Sequence, residues 1–109
     1  MGNERDNKII LDDLVEGFIN SLEKPAIAKV LRVIDLLENF GHELGMPHSK
    51  KITAAIYELR IRSRQEIRFF YCFKRKNIIL LHGFVKKSDK IPKKEIKVAI
   101  QRHERLTNI

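Results

Sequence analysis

The sequence predicts an α+β domain in which an N-terminal helix hairpin and a C-terminal helix pack on a small antiparallel sheet. Apolar residues recur at three- and four-residue spacing through residues 14–40 and again through 96–106. Between residues 57 and 85 the period shortens to two, with polar turns between the runs. Helices followed by a run of hairpin-linked strands define a two-layer domain, and 109 residues suffice for one such core. The composition, 43% hydrophobic and 33% charged, is that of a folded chain. A single domain over residues 1–109 is therefore expected, with residues 1–8 as a disordered lead-in.

Ile9–Leu11 is long enough only for a short edge strand. Asp13 and Glu16 form a capping-box-like pair ahead of a helix whose stripe is Leu14, Val15, Phe18, Ile19 and Leu22. Pro25 suits the first turn of a second helix, with Ile27, Val30, Leu31, Ile34, Leu37 and Phe40 on one side and Gly41 as its stop. Residues 42–55 read as a loop. Tyr57, Leu59 and Ile61 then alternate with Glu58, Arg60 and Arg62, and Ile67, Phe69, Tyr71 and Phe73 alternate with Glu66, Arg68, Phe70 and Cys72. The almost continuous apolar run Ile78–Val85 fits a strand covered on both faces. Pro92 opens the last helix, which carries Ile96, Ala99, Ile100, His103 and Leu106.

The formal charge of +8 is unevenly distributed. Residues 1–45 hold five Lys/Arg against nine Asp/Glu, whereas residues 46–109 hold seventeen against five. A polyanion is the natural partner of such a half, with a merely solubilising surface as the plainer reading. The longest apolar runs are too short for a membrane span, and the polar N-terminus has no signal-peptide pattern, which points to the cytoplasm. Cys72 alone cannot form an internal disulfide and reads as a small core residue.

If the apolar strand residues face the helices, Arg60, Arg62 and Arg68 share the opposite, open sheet face. Lys86 and Lys87 lie at the exit of the third strand, and Lys90, Lys93 and Lys94 lead into the last helix. Arginine forks suit phosphate oxygens, and crowded lysines can act as proton donors or acceptors. His82, inside an apolar strand, reads first as a hydrogen-bonded core residue and second as an acid or base. Glu58, Glu66 and Asp89 form no evident carboxylate pair. His42 and His48 lack carboxylates at ligand spacing, so no metal site is expected, and no phosphate-loop or nucleophile-elbow motif is present.

The blocks Tyr57-Glu58-Leu59-Arg60, Arg68-Phe69-Phe70-Tyr71, Leu80-Leu81-His82-Gly83-Phe84-Val85-Lys86-Lys87 and Pro92-Lys93-Lys94-Glu95-Ile96 occur in this order. Together they resemble the phage-derived HigB-like branch of the RelE/ParE toxin superfamily over roughly residues 14–105. The resemblance implies a RelE-like fold and a ribosome-dependent mRNA endonuclease without metal or other cofactor. It also implies a cognate antitoxin partner, usually a helix-turn-helix, HigA-like protein. Carried over by position, Arg60, Arg68, Lys86 and Lys87 are the catalytic candidates. Lys50, Lys51, Arg62, Lys90, Lys93 and Lys94 are the RNA-binding candidates. Three departures stand out: the first strand is reduced to Ile9–Leu11, Ile91 stands before Pro92 where a capping Ser or Thr is common, and residues 88–109 contain no tyrosine, a residue some distant members use. A gyrase-inhibiting ParE-like toxin and a non-catalytic nucleic-acid-binding module are the alternatives.

Overall fold

A computed structural model describes residues 7–107. Of the expected lead-in, residues 1–6 lie outside the described residues, while Lys8 already opens a strand. In chain order the elements are β1 (Lys8–Leu11), α1 (Asp13–Asn20), α2 (Lys24–Phe40), β2 (Ser49–Lys51), β3 (Tyr57–Arg62), β4 (Glu66–Lys74), β5 (Asn77–Lys86) and α3 (Lys93–Thr107). A single 3-10 turn, Gly41–Glu43, follows α2. The segment 42–55 is thus more than a loop, because it supplies an edge strand. The five strands form one sheet in the order β1-β5-β4-β3-β2, with β1 parallel to β5 and every other pairing antiparallel.

Helix α1 begins one residue earlier than the Asp13–Glu16 pair implies. Asp12 is the cap, its Oδ1 accepting the Val15 backbone N–H at 2.9 Å. In α2 the buried stripe is Ala26, Val30, Val33 and Leu37, whereas Leu31 and Phe40, expected inward, are about half exposed, and Leu14 in α1 is more exposed still, at 64%. Spacing alone admits either stripe, and docking on the sheet selects the one centred on Val30 and Leu37. Gly41 ends α2 at φ 52°, a conformation that suits glycine because it has no Cβ.

The sheet is covered on both faces. On one, α1 and α2 pack over Leu59, Ile61, Ile67, Phe69, Tyr71, Ile78 and Leu80. On the other, α3 packs Ala99, Ile96 and Leu106 against Phe70, Cys72, Leu81 and Phe84. The face expected to stand open is therefore half roofed, and Phe70 and Cys72 build a second core there.

A register shift in the β4–β5 ladder decides which β5 side chains reach which face. Phe70 pairs with His82 but Tyr71 pairs with Leu80, so Leu81 is an extra residue on β5. Ile78 and Leu80 lie on the α1/α2 side, and strict alternation would send His82 and Phe84 there too. The bulge reverses the phase. His82 and Phe84 turn toward α3, while Gly83 lies under Phe18, where a Cβ would stand 2.6 Å from the Phe18 ring and 2.7 Å from the Phe69 ring. Phe18 meets Phe69 edge-on at 5.7 Å, and only a residue without a side chain fits between them and the strand.

Candidate nucleic-acid interface

Register alone arranges the α3-side face in three rows. The first crosses Lys50, Glu58, Phe70 and His82, the second Arg60, Arg68 and Phe84, and the third Arg62, Glu66 and Lys86. Because directly opposed residues share a face, five sequence-derived candidates (Lys50, Arg60, Arg62, Arg68 and Lys86) stand on it together. Helix α3 roofs the β4–β5 side, and Arg60 and Arg62 remain accessible toward the outer edge at β3.

Arg68 is the main correction. It is 2% exposed, far from the open guanidinium that pleat phase implied. Its Nε donates to Glu58 Oε2 at 3.1 Å, its Nη2 pairs with Glu66 Oε1 at 2.9 Å, and its Nη1 donates to the Ile67 carbonyl at 3.3 Å. Glu58 also faces Arg60 at 3.7 Å, and Glu66 faces Arg62 at 3.7 Å. The result is an alternating chain, Arg60–Glu58–Arg68–Glu66–Arg62. Glu58 and Glu66 are thus a carboxylate pair after all, bridged by an arginine. Directly opposed Arg60 and Arg68 would repel one another, and the interleaved glutamates offset that repulsion. The basic surface is accordingly less costly to fold than its arginine count implies.

Burial of Glu58 and Arg68 demands that their polar atoms be paired, and among the described residues no buried side-chain nitrogen or oxygen lacks a partner. Arg68 holds Glu58 and Glu66 in place, and these orient the outer arginines. Lys86 is half-buried, whereas Lys50, Lys51, Lys87, Lys90, Lys93 and Lys94 are exposed. Lys51 lies 5.9 Å above the Tyr57 ring, and its cross-strand partner is Tyr57 while that of Lys50 is Glu58, so this pair straddles the two faces.

His82 and Glu95 are the residues that sequence reasoning undervalued. His82 Nε2 lies 2.7 Å from Glu95 Oε1, joining β5 to the first turn of α3, and the two side chains are 16% and 19% exposed. The imidazole stacks on Phe84 at 5.7 Å, and Phe84 is the direct neighbour of Arg68. With Nε2–H donating to the carboxylate, Nδ1 keeps its lone pair, the arrangement a carboxylate-oriented proton acceptor needs. The signal in the sequence is His82 thirteen residues before Glu95, but only the Leu81 bulge and the docking of α3 bring them together. The other histidines differ: His42 stacks on Phe73 at 3.6 Å as a packing ring.

Burial raises the Cys72 thiol to about 11, which makes it a core group and no nucleophile. Tyr71 is also raised, first by burial, and its hydroxyl is bonded to that of Ser49 beneath the hairpin. Among the described residues no three His, Cys, Asp or Glu side chains converge as a metal site would require, and no helix is long and apolar enough to cross a membrane.

The class defined by this geometry is an α+β domain with a half-roofed, arginine-edged sheet face. A scan of family models places residues 17–104 in the phage-derived protein Gp49-like family (DUF891), and the chain belongs to that family. Its fold is RelE-like. It superposes on a chain of the archaeal RelE–RelB complex from Pyrococcus horikoshii OT3 with a TM-score of 0.52, at 18% identity, over 73% of this chain and 94% of that one. No curated protein matches the sequence.

Proposed function

We propose that this protein is the toxin of a toxin–antitoxin pair and an endoribonuclease that cuts mRNA on the ribosome. The carrying observation is the cationic frame of Arg60, Arg62 and Lys86 beside the His82–Glu95 pair, on a fold of the RelE type. RelE is solved in complex with RelB, which supports a cognate antitoxin here, and the HigB-like resemblance favours a helix-turn-helix, HigA-like one.

Cleavage needs no cofactor if the chain itself moves two protons. The ribose 2′-oxygen attacks the adjacent phosphorus and gives its proton to a base. The P–O5′ bond breaks, and an acid protonates the departing 5′-oxygen, leaving a 2′,3′-cyclic phosphate and a 5′-hydroxyl. His82, oriented by Glu95, serves as the base in this reading, and Lys86 or Lys87 as the acid. Arg60 and Arg62 hold the phosphate oxygens whose charge grows in the transition state. Arg68 acts through Glu58 and Glu66 as a positioning residue, and Lys50, Lys51, Lys90, Lys93 and Lys94 add backbone attraction.

The test is induced expression in bacteria with primer-extension mapping of mRNA breaks, repeated in a translating cell-free extract. Cuts should appear only on translated messages and fall by about 100-fold in His82→Ala and in Arg60→Ala/Arg62→Ala. Halted growth with uncut transcripts would replace this reading with gyrase inhibition. RNA binding without cuts or growth arrest would replace it with a non-catalytic module.

A further inference from the structure

We propose that β1 is the contact edge of a symmetric homodimer, in which two copies of the chain pair antiparallel about a two-fold axis at Ile10 and join their sheets. β1 is the last strand on its side of the sheet, and Ile10 at its centre is 42% exposed. An edge strand with an apolar centre is a template for another strand, and folds usually blunt it with a charge, a proline or a bulge. The run Lys8-Ile9-Ile10-Leu11-Asp12 has none of these between its two ends. Asp12, at φ −94° and ψ −178°, prolongs the extended backbone by one residue while it caps α1.

Ladder phase fixes which peptide groups are free. The Lys8 N–H donates to the Lys76 carbonyl at 3.0 Å, so Lys8 and Ile10 turn their peptide groups toward β5. Those of Ile9 and Leu11 point outward, where no further strand lies among the described residues. An antiparallel partner must therefore bond through Ile9 and Leu11, which admits an axis at Ile9, Ile10 or Leu11. Charge selects among the three. An axis at Ile10 sets Lys8 opposite the partner's Asp12 and Asp12 opposite the partner's Lys8, with Ile9 across from the partner's Leu11. An axis at Ile9 sets Lys8 against the partner's Ile10, and one at Leu11 sets Asp12 there. Opposite charges directly across a ladder stabilise it. Lys8 and Asp12 also fall at non-hydrogen-bonded positions, where the Cα atoms approach to about 4.5 Å and side chains meet most closely.

Both groups are available for this pairing. Among the described residues neither Lys8 nor Asp12 has an ion-pair partner, and Asp12 spends only Oδ1 on the Val15 N–H, leaving Oδ2 for an ammonium group. Beside β1 a groove of about 320 Å³ is lined by Ile10, Leu14, Ile79 and Leu106, with the exposed Arg105 at its rim. Leu14 is 64% exposed, so folding alone leaves two large aliphatic side chains in water along this edge. Edge pairing brings the two grooves to a common seam and sets both α3-side faces on the same side of one continuous sheet. None of these residues belongs to the frame proposed to hold RNA. The contact is small and each chain carries +8, so the dimer is of the weak, concentration-dependent kind.

Sedimentation equilibrium of the full chain between about 1 and 300 µM should show a monomer–dimer equilibrium. Lys8→Glu sets a glutamate across from the partner's Asp12 and should weaken the dimer by about tenfold or more. The same change lowers the formal charge of each chain from +8 to +6, which by itself favours association, so the two causes have opposite signs. Lys8 is exposed, and the fold tolerates its replacement. Lys8→Glu/Asp12→Asn removes the clash, keeps a capping side chain and should recover part of the loss. Ile10→Cys should cross-link two chains under mild oxidation, because residues facing each other at the axis lie at disulfide distance. Lys8→Cys should not, since its two copies lie about 14 Å apart in this register. A monomer at every concentration overturns the proposal, as does unchanged or tighter association of Lys8→Glu. Cross-linking through position 8 as readily as through position 10 overturns it in favour of random collision, and no recovery with Asp12→Asn overturns the register.

Discussion

The two faces of the sheet are stabilised by different means. Beneath α1 and α2 the face is an apolar layer, with the Tyr71 and Ser49 hydroxyls bonded to each other at its margin. Beneath α3 only half of the face is apolar, and the rest is an ordered chain of three arginines and two glutamates. One face is apolar beneath its helices, whereas the other exposes Arg60, paired with the buried Glu58, and Arg62, paired with the partly exposed Glu66. The closed apolar layer and the face proposed to bind RNA thus lie on opposite sides of the same strands, in residues that alternate along β3 and β4.

The sharpest way to break this comparison is at the closed face. Phe69→Ala empties the space between β4, Phe18 and Gly83, and should cost about 3–5 kcal/mol in urea denaturation. Oligonucleotide affinity per folded molecule should be unchanged. A loss of affinity in the folded fraction would show that the two faces are not independent.

On the other face, Arg68→Ala should cost about 3 kcal/mol, because it strands the buried Glu58 carboxylate without its partner. The diagnostic control is Glu58→Leu/Arg68→Met, which removes both charges and should recover most of that loss by the same measurement. Recovery of stability without recovery of RNA binding would identify the charge chain as a positioning device. Failure of the double variant to recover stability would mean that the side-chain shapes, more than their charges, hold this region.

Alternation made β3 and β4 legible, down to the shared face of Arg60, Arg62 and Arg68. It could not reveal that Glu58 and Glu66 close around Arg68, because cross-strand register is absent from a linear pattern. The last strand was less legible for a physical reason: in an uninterrupted apolar run the Leu81 bulge leaves no mark, and that one residue decides where His82 points. The same ambiguity put Leu31 and Phe40 inside α2's stripe, where the sheet instead takes Val33. The C-terminal helix was readable as an element, but its docking on the second face was not. Without that docking, Glu95 could not be matched to His82.

A smaller effect separates exposed from buried arginine. Arg62→Gln, at a side chain 82% exposed, should change stability by less than about 0.5 kcal/mol. If Arg62 contacts one phosphate, the slope of log affinity against log salt for single-stranded RNA should become shallower by about 0.7. An unchanged slope would remove Arg62 from the phosphate-binding set while leaving the ion-pair chain intact.

The smallest effect lies under α3, where Cys72 reports on how tightly that half is sealed. Its thiol is raised from 9.0 to about 11 by burial, the nearby Lys74 only partly opposing this. At pH 8 the thiolate is therefore about a hundredfold scarcer than in the unfolded chain, and iodoacetamide should label native protein correspondingly slowly. The sign for stability follows: the native state holds its proton to higher pH than the unfolded state, so this contribution is complete below about pH 9 and is lost as pH rises toward 11. Tyr71 shifts in the same direction and deepens the alkaline loss. Cys72→Ala should flatten the decline between pH 9 and 11 in denaturation midpoints, leaving only the tyrosine part. Rapid labelling of native Cys72 at pH 8 would mean that α3 opens readily, and the half-roofed face would then be far more accessible than its partner.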